Sequence, residues 1–253
     1  MSTFELDKQH VEVYFITIME NETLIKYLAK NGGVSRRNAD SAIRAGKVTV
    51  DGVCVTRPEF RLSGAERIVF EGSELSACGS GNVYIMLNKP VNYTCSADDG
   101  HAEHLAIDLI DVPQRIFSAG RLDRDSEGLL IFSNDGVFID RLAHPRYGVR
   151  KLYHVTTDRP LSDEDRQKMC SGICDAGENI HALEVKNISG KTSSFLLNEG
   201  KKREIRRLVK AVGKRVVRLV RVRQGKLELG SLPSGKWRFL TPEEVKLAME
   251  SGE

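Results

Sequence analysis

The sequence predicts an α+β protein: a small helix-and-hairpin domain at residues 20–75, then a larger domain at residues 83–250 with a mostly antiparallel sheet. Three observations predict it. Apolar residues in the segment 24–45 fall at helical spacing around a Gly32-Gly33 break, and a hairpin signal, Asp51-Gly52, follows. Beyond residue 83, short strand-like runs alternate with turns and few long helices. Between the two, residues 71–82 are rich in Gly, Ser and other small residues without periodicity and read as linker-like, with the first domain's boundary drawn at 75 and the linker proper at 76–82.

In chain order, residues 1–19 lie outside either domain, and the alternation of Val11, Val13, Phe15 and Ile16 is the only strand-like feature there. Leu24, Ile25, Leu28 and Ala29 mark a first helix. Val34, Ala39, Ala42 and Ile43 mark a second, with Ser35 as N-cap and Arg36-Arg37 in its first turn. Cations there oppose the helix dipole, so something other than helix stability favours them. Gly46 ends the helix, and strands at 47–50, 53–56 and 67–70 follow. In the larger domain the strand candidates are 83–87, 115–119, 129–133, 153–157, 194–197 and 215–222. Helices are expected at 137–143, 163–171, 203–212 and 242–250, the last opened by the capping box Thr241 and Glu244.

A 253-residue chain that is 40% hydrophobic and 29% charged is neither disordered nor fibrous. Its net charge of only +3 conceals two basic islands. Residues 201–223 hold eleven Lys and Arg against Glu204 alone, and residues 26–47 hold Lys26, Lys30, Arg36, Arg37, Arg44 and Lys47 against Asp40. The remainder is acidic, so the islands read as the footprint of a polyanion, most simply nucleic acid. Residues 13–19 are far too short an apolar run to span a bilayer, and Glu5 and Asp7 are unlike a presequence, so a cytoplasmic location with no membrane partner is expected. The spacing of Cys170 and Cys174 suits one helix face better than a metal knuckle, and His101 and His104 read as surface histidines; no metal is expected.

The densest chemistry lies in Gly120-Arg121-Leu122-Asp123-Arg124-Asp125-Ser126-Glu127-Gly128, a polar loop running into the apolar strand 129–133 and ending at a further Asp-Gly turn, Asp135-Gly136. A carboxylate flanked by arginines stays ionised and oriented, which suits a nucleophile or general base.

These residues resemble the catalytic motif of the S4-domain-containing ribosomal RNA pseudouridine synthases. The resemblance runs from about residue 20 to 248 and includes Leu87-Asn88-Lys89-Pro90, the 120–136 block, His144-Pro145, Lys151-Leu152-Tyr153, Glu199-Gly200-Lys201-Lys202-Arg203-Glu204-Ile205-Arg206-Arg207-Leu208 and Leu240-Thr241-Pro242. Residues 20–75 look like the S4 RNA-binding domain, carried by Ser35-Arg36-Arg37, Ala39-Asp40, Val48-Thr49-Val50 and Asp51-Gly52. The resemblance implies that a uridine in ribosomal RNA is isomerised without cofactor or metal, with Asp123 as the nucleophile. Tyr153 would pack on the flipped uracil, Arg206 would pair with the Asp123 carboxylate, and Arg121 would fill the space the base vacates. Arg203, Arg207 and Lys210 are expected at phosphates, Lys89 in the RNA-contacting set, and Lys26, Arg36, Arg37, Arg44 and Lys47 on the RNA face of the S4 domain. Pairing of Arg206 with a largely buried carboxylate would be worth roughly 3–5 kcal/mol on removal of one partner. The 203–208 motif and the 219–225 stretch favour 23S RNA or its pre-ribosomal particle as substrate, acted on by a monomer. Asn92 stands where the family often has glycine, and Ser133 where threonine is usual.

Two other readings compete. Asp123-Arg124-Asp125 has the Asp-x-Asp form of an aspartate-nucleophile phosphatase, but Gly120-Arg121-Leu122 rather than an apolar strand precedes it. A non-catalytic S4-type RNA-binding or ribosome-assembly factor would keep the fold and lose the nucleophile or its partners, whereas Asp123, Tyr153 and Arg206 are all present.

Overall fold

The computed structural model describes residues 22–75, 81–95 and 103–251. The strand-like alternation at 11–16, His101 and most of the linker lie outside them. The chain divides into two compact units at Gly81.

In the first unit, helices α1 (Leu24–Asn31) and α2 (Arg36–Arg44) cover a four-stranded antiparallel sheet of β1 (Val48–Val50), β2 (Val53–Cys54), β3 (Ile68–Phe70) and β4 (Ser73–Leu75), in the order β2-β1-β3-β4. Leu24, Leu28, Ala39, Ile43 and Val48 are fully buried between helices and sheet. The Ser35 hydroxyl accepts from the Asn38 N–H at 3.1 Å, so the second helix starts where its cap dictates. Asp51 and Gly52 both have positive φ, as a two-residue I′ hairpin requires. A second such turn, Glu71-Gly72, leads into β4. Residues 71–75 are therefore a hairpin rather than linker-like chain, a correction whose cause is a glutamate in a left-handed position that Asn, Asp or Gly would have advertised.

The second unit is built on a nine-stranded sheet. Its strands are β5 (Tyr84–Lys89), β6 (Phe117–Ser118), β7 (Glu127–Ser133), β8 (Lys151–Thr157), β11 (Glu184–Ser189), β12 (Thr192–Leu197), β13 (Val216–Gln224), β14 (Leu227–Glu228) and β15 (Trp237–Phe239). A separate hairpin is formed by β9 (Ile173–Asp175) and β10 (Glu178–Ile180). The main order is β11-β12-β8-β13-β7-β5-β15, with β14 on β13 and β6 on β7, and only the β13–β7 pair is parallel. Helices α3 (Gly136–Ala143) and α6 (Pro242–Met249) pack on one face, around Met86, Leu129, Ile131, Phe138 and Leu142. Helices α4 (Asp163–Ser171) and α5 (Glu204–Ala211) pack on the other, around Leu87, Leu130, Phe132, Val155, Phe195 and Leu208. Covered on both faces, β7 reads as the continuous apolar run Leu129-Leu130-Ile131-Phe132.

At Gly128 two strands meet too closely for a side chain. A Cβ there would lie 2.3 Å from the Arg221 carbonyl oxygen, and φ is +106°. Two local expectations are corrected. Asp135-Gly136 is a helix start rather than a turn, because the Asp135 carboxylate accepts from the N–H groups of Val137 and Phe138 at 2.9 and 3.1 Å. Cys170 and Cys174 do not share a helix face, because α4 ends at Ser171 and Cys174 lies in β9. Among the described residues no helix is long and apolar enough to cross a membrane.

Candidate active site

The loop between β6 and β7 is held at several points, and together they present Asp123. Leu122 is buried beneath the loop. Its N–H donates to the Cys95 sulfur at 3.3 Å, and the thiol donates back to the Leu122 carbonyl at 3.2 Å. The Ser126 N–H closes a turn onto the Asp123 carbonyl at 3.0 Å, and the Asn92 N–H reaches the Arg124 carbonyl at 2.7 Å. Asn92 has φ +71°, which explains why a glycine suits that position and an asparagine is tolerated. Ser133, at the far end of β7, is wholly buried, and its hydroxyl bridges the Val83 carbonyl and the Asp135 N–H.

Asp123 lies at a cleft of about 460 Å³. Leu122, Leu197, Ile205 and Leu219 supply apolar lining, and Tyr153, Arg121, Arg203 and Arg206 line it as well. The Asp123 side chain is 36% exposed. Tyr153 is 8% exposed on β8 and belongs both to the core and to the cleft, so its packing and its place in the site are one arrangement. Arg121 is exposed at the same cleft and makes no ion pair or side-chain hydrogen bond among the described residues.

The arginines do not fall where the sequence puts them. Arg203 caps α5 with φ +52°, a left-handed conformation that costs a non-glycine residue about 1–3 kcal/mol. Its guanidinium makes a bidentate pair with Asp125 at 3.1 and 2.9 Å and stands 3.9 Å from Asp123. Arg206 reaches the same Asp125 carboxylate at 3.2 Å and donates to the Asp125 carbonyl at 2.8 Å. The expected Arg206–Asp123 pair is thus replaced by Arg206–Asp125, because the 123–126 turn swings the second carboxylate toward α5. Nor is the pair buried: Arg206 is 14% exposed, but Asp125 is 48% exposed. Partly exposed pairs of this kind contribute about 0–1 kcal/mol, well below the 3–5 expected for a buried one. Burial would raise the Asp125 carboxyl, but the hydrogen bond from Arg203 and the charges of Arg206 and Arg203 outweigh it and hold it below the usual range.

Three further expectations change. Lys89 is fully buried, donates to the carbonyls of Pro90 and Tyr93 at 2.9 and 2.8 Å, and is pushed down by burial; it staples the 90–93 turn and cannot touch RNA. Arg207 is occupied by Asp175 and Glu178 of the β9–β10 hairpin rather than open to phosphate. Arg203 is committed to Asp125, leaving Lys210, which is exposed, as the member of that trio without an ion pair among the described residues. The same holds across the second island. Lys201, Arg203, Arg206, Arg207, Lys214 and Arg218 are all ion-paired, and Arg221 is buried, donating to the Leu129 carbonyl at 2.6 Å. In the first unit Lys26, Arg36 and Arg37 are exposed without an ion pair among the described residues, whereas Arg44 pairs with Asp40 at 3.0 Å and Lys47 with Glu71 at 2.7 Å.

Sequence reasoning passed over Asp125, Cys95 and the buried polar layer around the cleft. In that layer Glu204 caps the Lys201 N–H at 3.1 Å; burial, together with Glu199, pushes it up to about 7. Burial and the Arg221 charge push Lys151 down to about 8. The Asp-x-Asp spacing was a visible signal for Asp125; nothing in the sequence marks Cys95.

The pattern of the RNA pseudouridylate synthase family matches residues 83–211. The chain belongs to that family. The S4 domain pattern matches residues 22–68, which places this synthase in the S4-bearing branch. An Aquifex aeolicus protein described as an uncharacterised RNA pseudouridine synthase is 39% identical over 88% of this chain and 94% of its own length. The Bacillus subtilis ribosomal large subunit pseudouridine synthase B is 34% identical over 89% of this chain and 94% of its own. The Escherichia coli (strain K12) ribosomal small subunit pseudouridine synthase A is 36% identical over 88% and 97%. A crystal structure described as a pseudouridylate synthase is 31% identical, covers 89% of this chain and 99% of its own, and superposes with a TM-score of 0.65.

Proposed function

We propose that this synthase converts one uridine of ribosomal RNA, in the large-subunit 23S molecule or its precursor particle, to pseudouridine, using Asp123 as nucleophile. The observation that carries the reading is Asp123 itself, presented at a cleft whose lining is mixed charged and apolar, with Tyr153 in its wall and the Arg203 cation 3.9 Å away. A cleft of about 460 Å³ lies within the range of about 300–1,000 Å³ that encloses a small ligand, and so accepts one flipped nucleotide. The Asp123 carboxylate bonds to the nucleoside as the bond between ribose and N1 breaks; the freed uracil rotates and bonds to the ribose through carbon 5, which releases the carboxylate, and the proton lost from carbon 5 is balanced by one gained at N1. Tyr153 packs on the base and helps to remove the carbon 5 proton. Arg121, without a protein partner among the described residues, occupies the gap left in the RNA helix. Lys26, Arg36 and Arg37, which make no ion pair among the described residues, dock RNA through its phosphates, which fix register without reading sequence; Arg44 and Lys47 are held by Asp40 and Glu71 and can join only by exchanging those partners. The reaction needs no cofactor or metal, and the residues assigned to it all come from one chain, which supports action as a monomer. An enzyme acting on ribosomal RNA works where ribosomes assemble, in the cytoplasm. The Arg203-Glu204-Ile205-Arg206-Arg207-Leu208 form supports the large-subunit assignment.

Carbodiimide-labelled primer extension across unmodified 16S and 23S transcripts and precursor particles tests this. One new stop in 23S RNA is the expected result. A stop in 16S RNA alone keeps the chemistry and overturns the subunit assignment. If no stop appears on any substrate while RNA is still bound, the chain is a non-catalytic RNA-binding factor.

A further inference from the structure

Two loops of the second unit meet at the cleft and are tied to each other by one pair. The Arg203 guanidinium, at the start of α5, makes its bidentate bonds to Asp125, in the loop before β7, at 3.1 and 2.9 Å. The residue before each partner in that tie is a cation that lines the cleft, Arg124 on one loop and Lys202 on the other. Both are exposed, and neither makes an ion pair or side-chain hydrogen bond among the described residues. In this they differ from the cations beside them, since Lys201 is held by Glu199, Arg203 by Asp125 and Arg206 by the Asp125 carbonyl.

The backbones of both residues are fixed although their side chains are unpartnered. The Arg124 carbonyl accepts from the Asn92 N–H at 2.7 Å. The turn that carries Lys202 is closed by reciprocal bonds, from the Lys201 N–H to the Glu204 carboxyl at 3.1 Å and from the Glu204 N–H to the Lys201 carbonyl at 3.2 Å. With Arg121, Arg124 and Lys202 make three cations at one cleft without a protein anion of their own. Like charges gathered in this way repel, and a partner carrying negative charge at regular intervals, a phosphodiester chain, relieves that repulsion.

We propose that Arg124 and Lys202 form a two-point phosphate grip: they bind backbone phosphates on either side of the uridine that enters the cleft, at a separation set by the tie between Arg203 and Asp125. The inference rests on the cleft taking a flipped nucleotide of RNA. Turning one nucleotide out of its stack costs free energy, and a strand held on both sides of that nucleotide keeps it turned out. Contacts to phosphate position the strand without reading its sequence, so the grip adds affinity and leaves the choice of uridine to other contacts.

Arg124→Gln and Lys202→Gln test the proposal in the full-length chain, with binding to an unmodified 23S RNA fragment measured across a salt series. Each should reduce the slope of log affinity against log salt by about 0.7–0.9, and the double variant by roughly twice that, whereas Arg124→Lys and Lys202→Arg keep the slope. Arg215→Gln is the control. Arg215 belongs to the same basic island as Lys202 and is exposed without an ion pair among the described residues, but it does not line the cleft, and its loss should change the slope by less than about 0.3. On an oligonucleotide whose target uridine is flanked by uncharged methylphosphonate linkages, wild type and the double variant should bind alike. Slopes unchanged by either glutamine would overturn the grip. So would an equal fall in slope for Arg215→Gln, or a double variant weakened as much on the uncharged linkages as on natural ones. Failure of the wild-type protein to form pseudouridine in any RNA would instead overturn the functional reading, and the salt series would still decide the grip.

Discussion

The two basic islands look alike in sequence and are put to opposite uses. In residues 26–47 the cations stand on short helices and on the turn after them, and Lys26, Arg36 and Arg37 meet solvent without an ion pair among the described residues. In residues 201–223 most of the charge is spent inside the unit, on Asp125, Glu127, Asp165, Asp175, Glu178 and Glu199. The acidic remainder of the chain is what neutralises the second island. A run of like charge thus marks a surface only when the fold brings no opposite charge to meet it. The first island leaves Lys26, Arg36 and Arg37 unpaired among the described residues, as the proposed docking of RNA requires; the second is largely tied into the second unit.

Substitutions should separate those uses. Within the two islands the largest effect is expected at Arg206→Ala, which should cut pseudouridine formation by about 10²–10³-fold with stability changed by only about 1 kcal/mol, read by single-turnover kinetics and thermal unfolding. Arg36→Ala with Arg37→Ala should do the reverse, weakening RNA binding and leaving the rate at saturating RNA intact. Gly128→Ala comes next. It forces a Cβ against the Arg221 carbonyl at positive φ and should destabilise the second unit by about 3 kcal/mol, visible as a lowered transition for that unit while the S4 unit melts unchanged. Smaller is the salt dependence of RNA affinity. Neutralising Arg36 and Arg37 should reduce the slope of log affinity against log salt by about 1.5, whereas Arg207→Ala, already paired, should leave it unchanged. An equal loss of slope from both would erase the distinction between the islands.

The smallest effect is a pH dependence inside the second island. Glu204 is buried, with its carboxyl raised from 4.5 to about 7. Between those values the folded chain keeps a proton that the unfolded chain releases, so this group lowers stability as pH rises through that window. Glu204→Gln should remove that slope, raising the melting temperature more at pH 8 than at pH 5. An equal shift at both would show that the carboxyl is not raised into that window.

What was legible in the sequence follows the range of the interactions involved. The Ser35 cap, the Asp51-Gly52 hairpin, the Thr241–Glu244 box and the inward face of α5 depend on neighbours within a few residues, and each formed as read. The family blocks brought Asp123, Tyr153, Arg121 and Arg206 to one cleft. Partners were not legible. Arg206 with Asp125, Arg207 with Asp175 and Cys95 with Leu122 join residues 27 to 81 positions apart, and local patterning carries no information on such pairs. Lys89 misled for a related reason: its sequence neighbourhood is that of a site, but its ammonium is turned inward onto the carbonyls of Pro90 and Tyr93.

The central claim is that Asp123 performs the chemistry while the cations of the first island hold the RNA. Single-turnover pseudouridine formation by Asp123→Asn, measured on the mapped RNA alongside its binding affinity, tests that most directly. The account predicts a loss of at least about 10⁴-fold in rate with unchanged affinity. Retention of the rate to within tenfold, or a loss of affinity as large as the loss of rate, would contradict it.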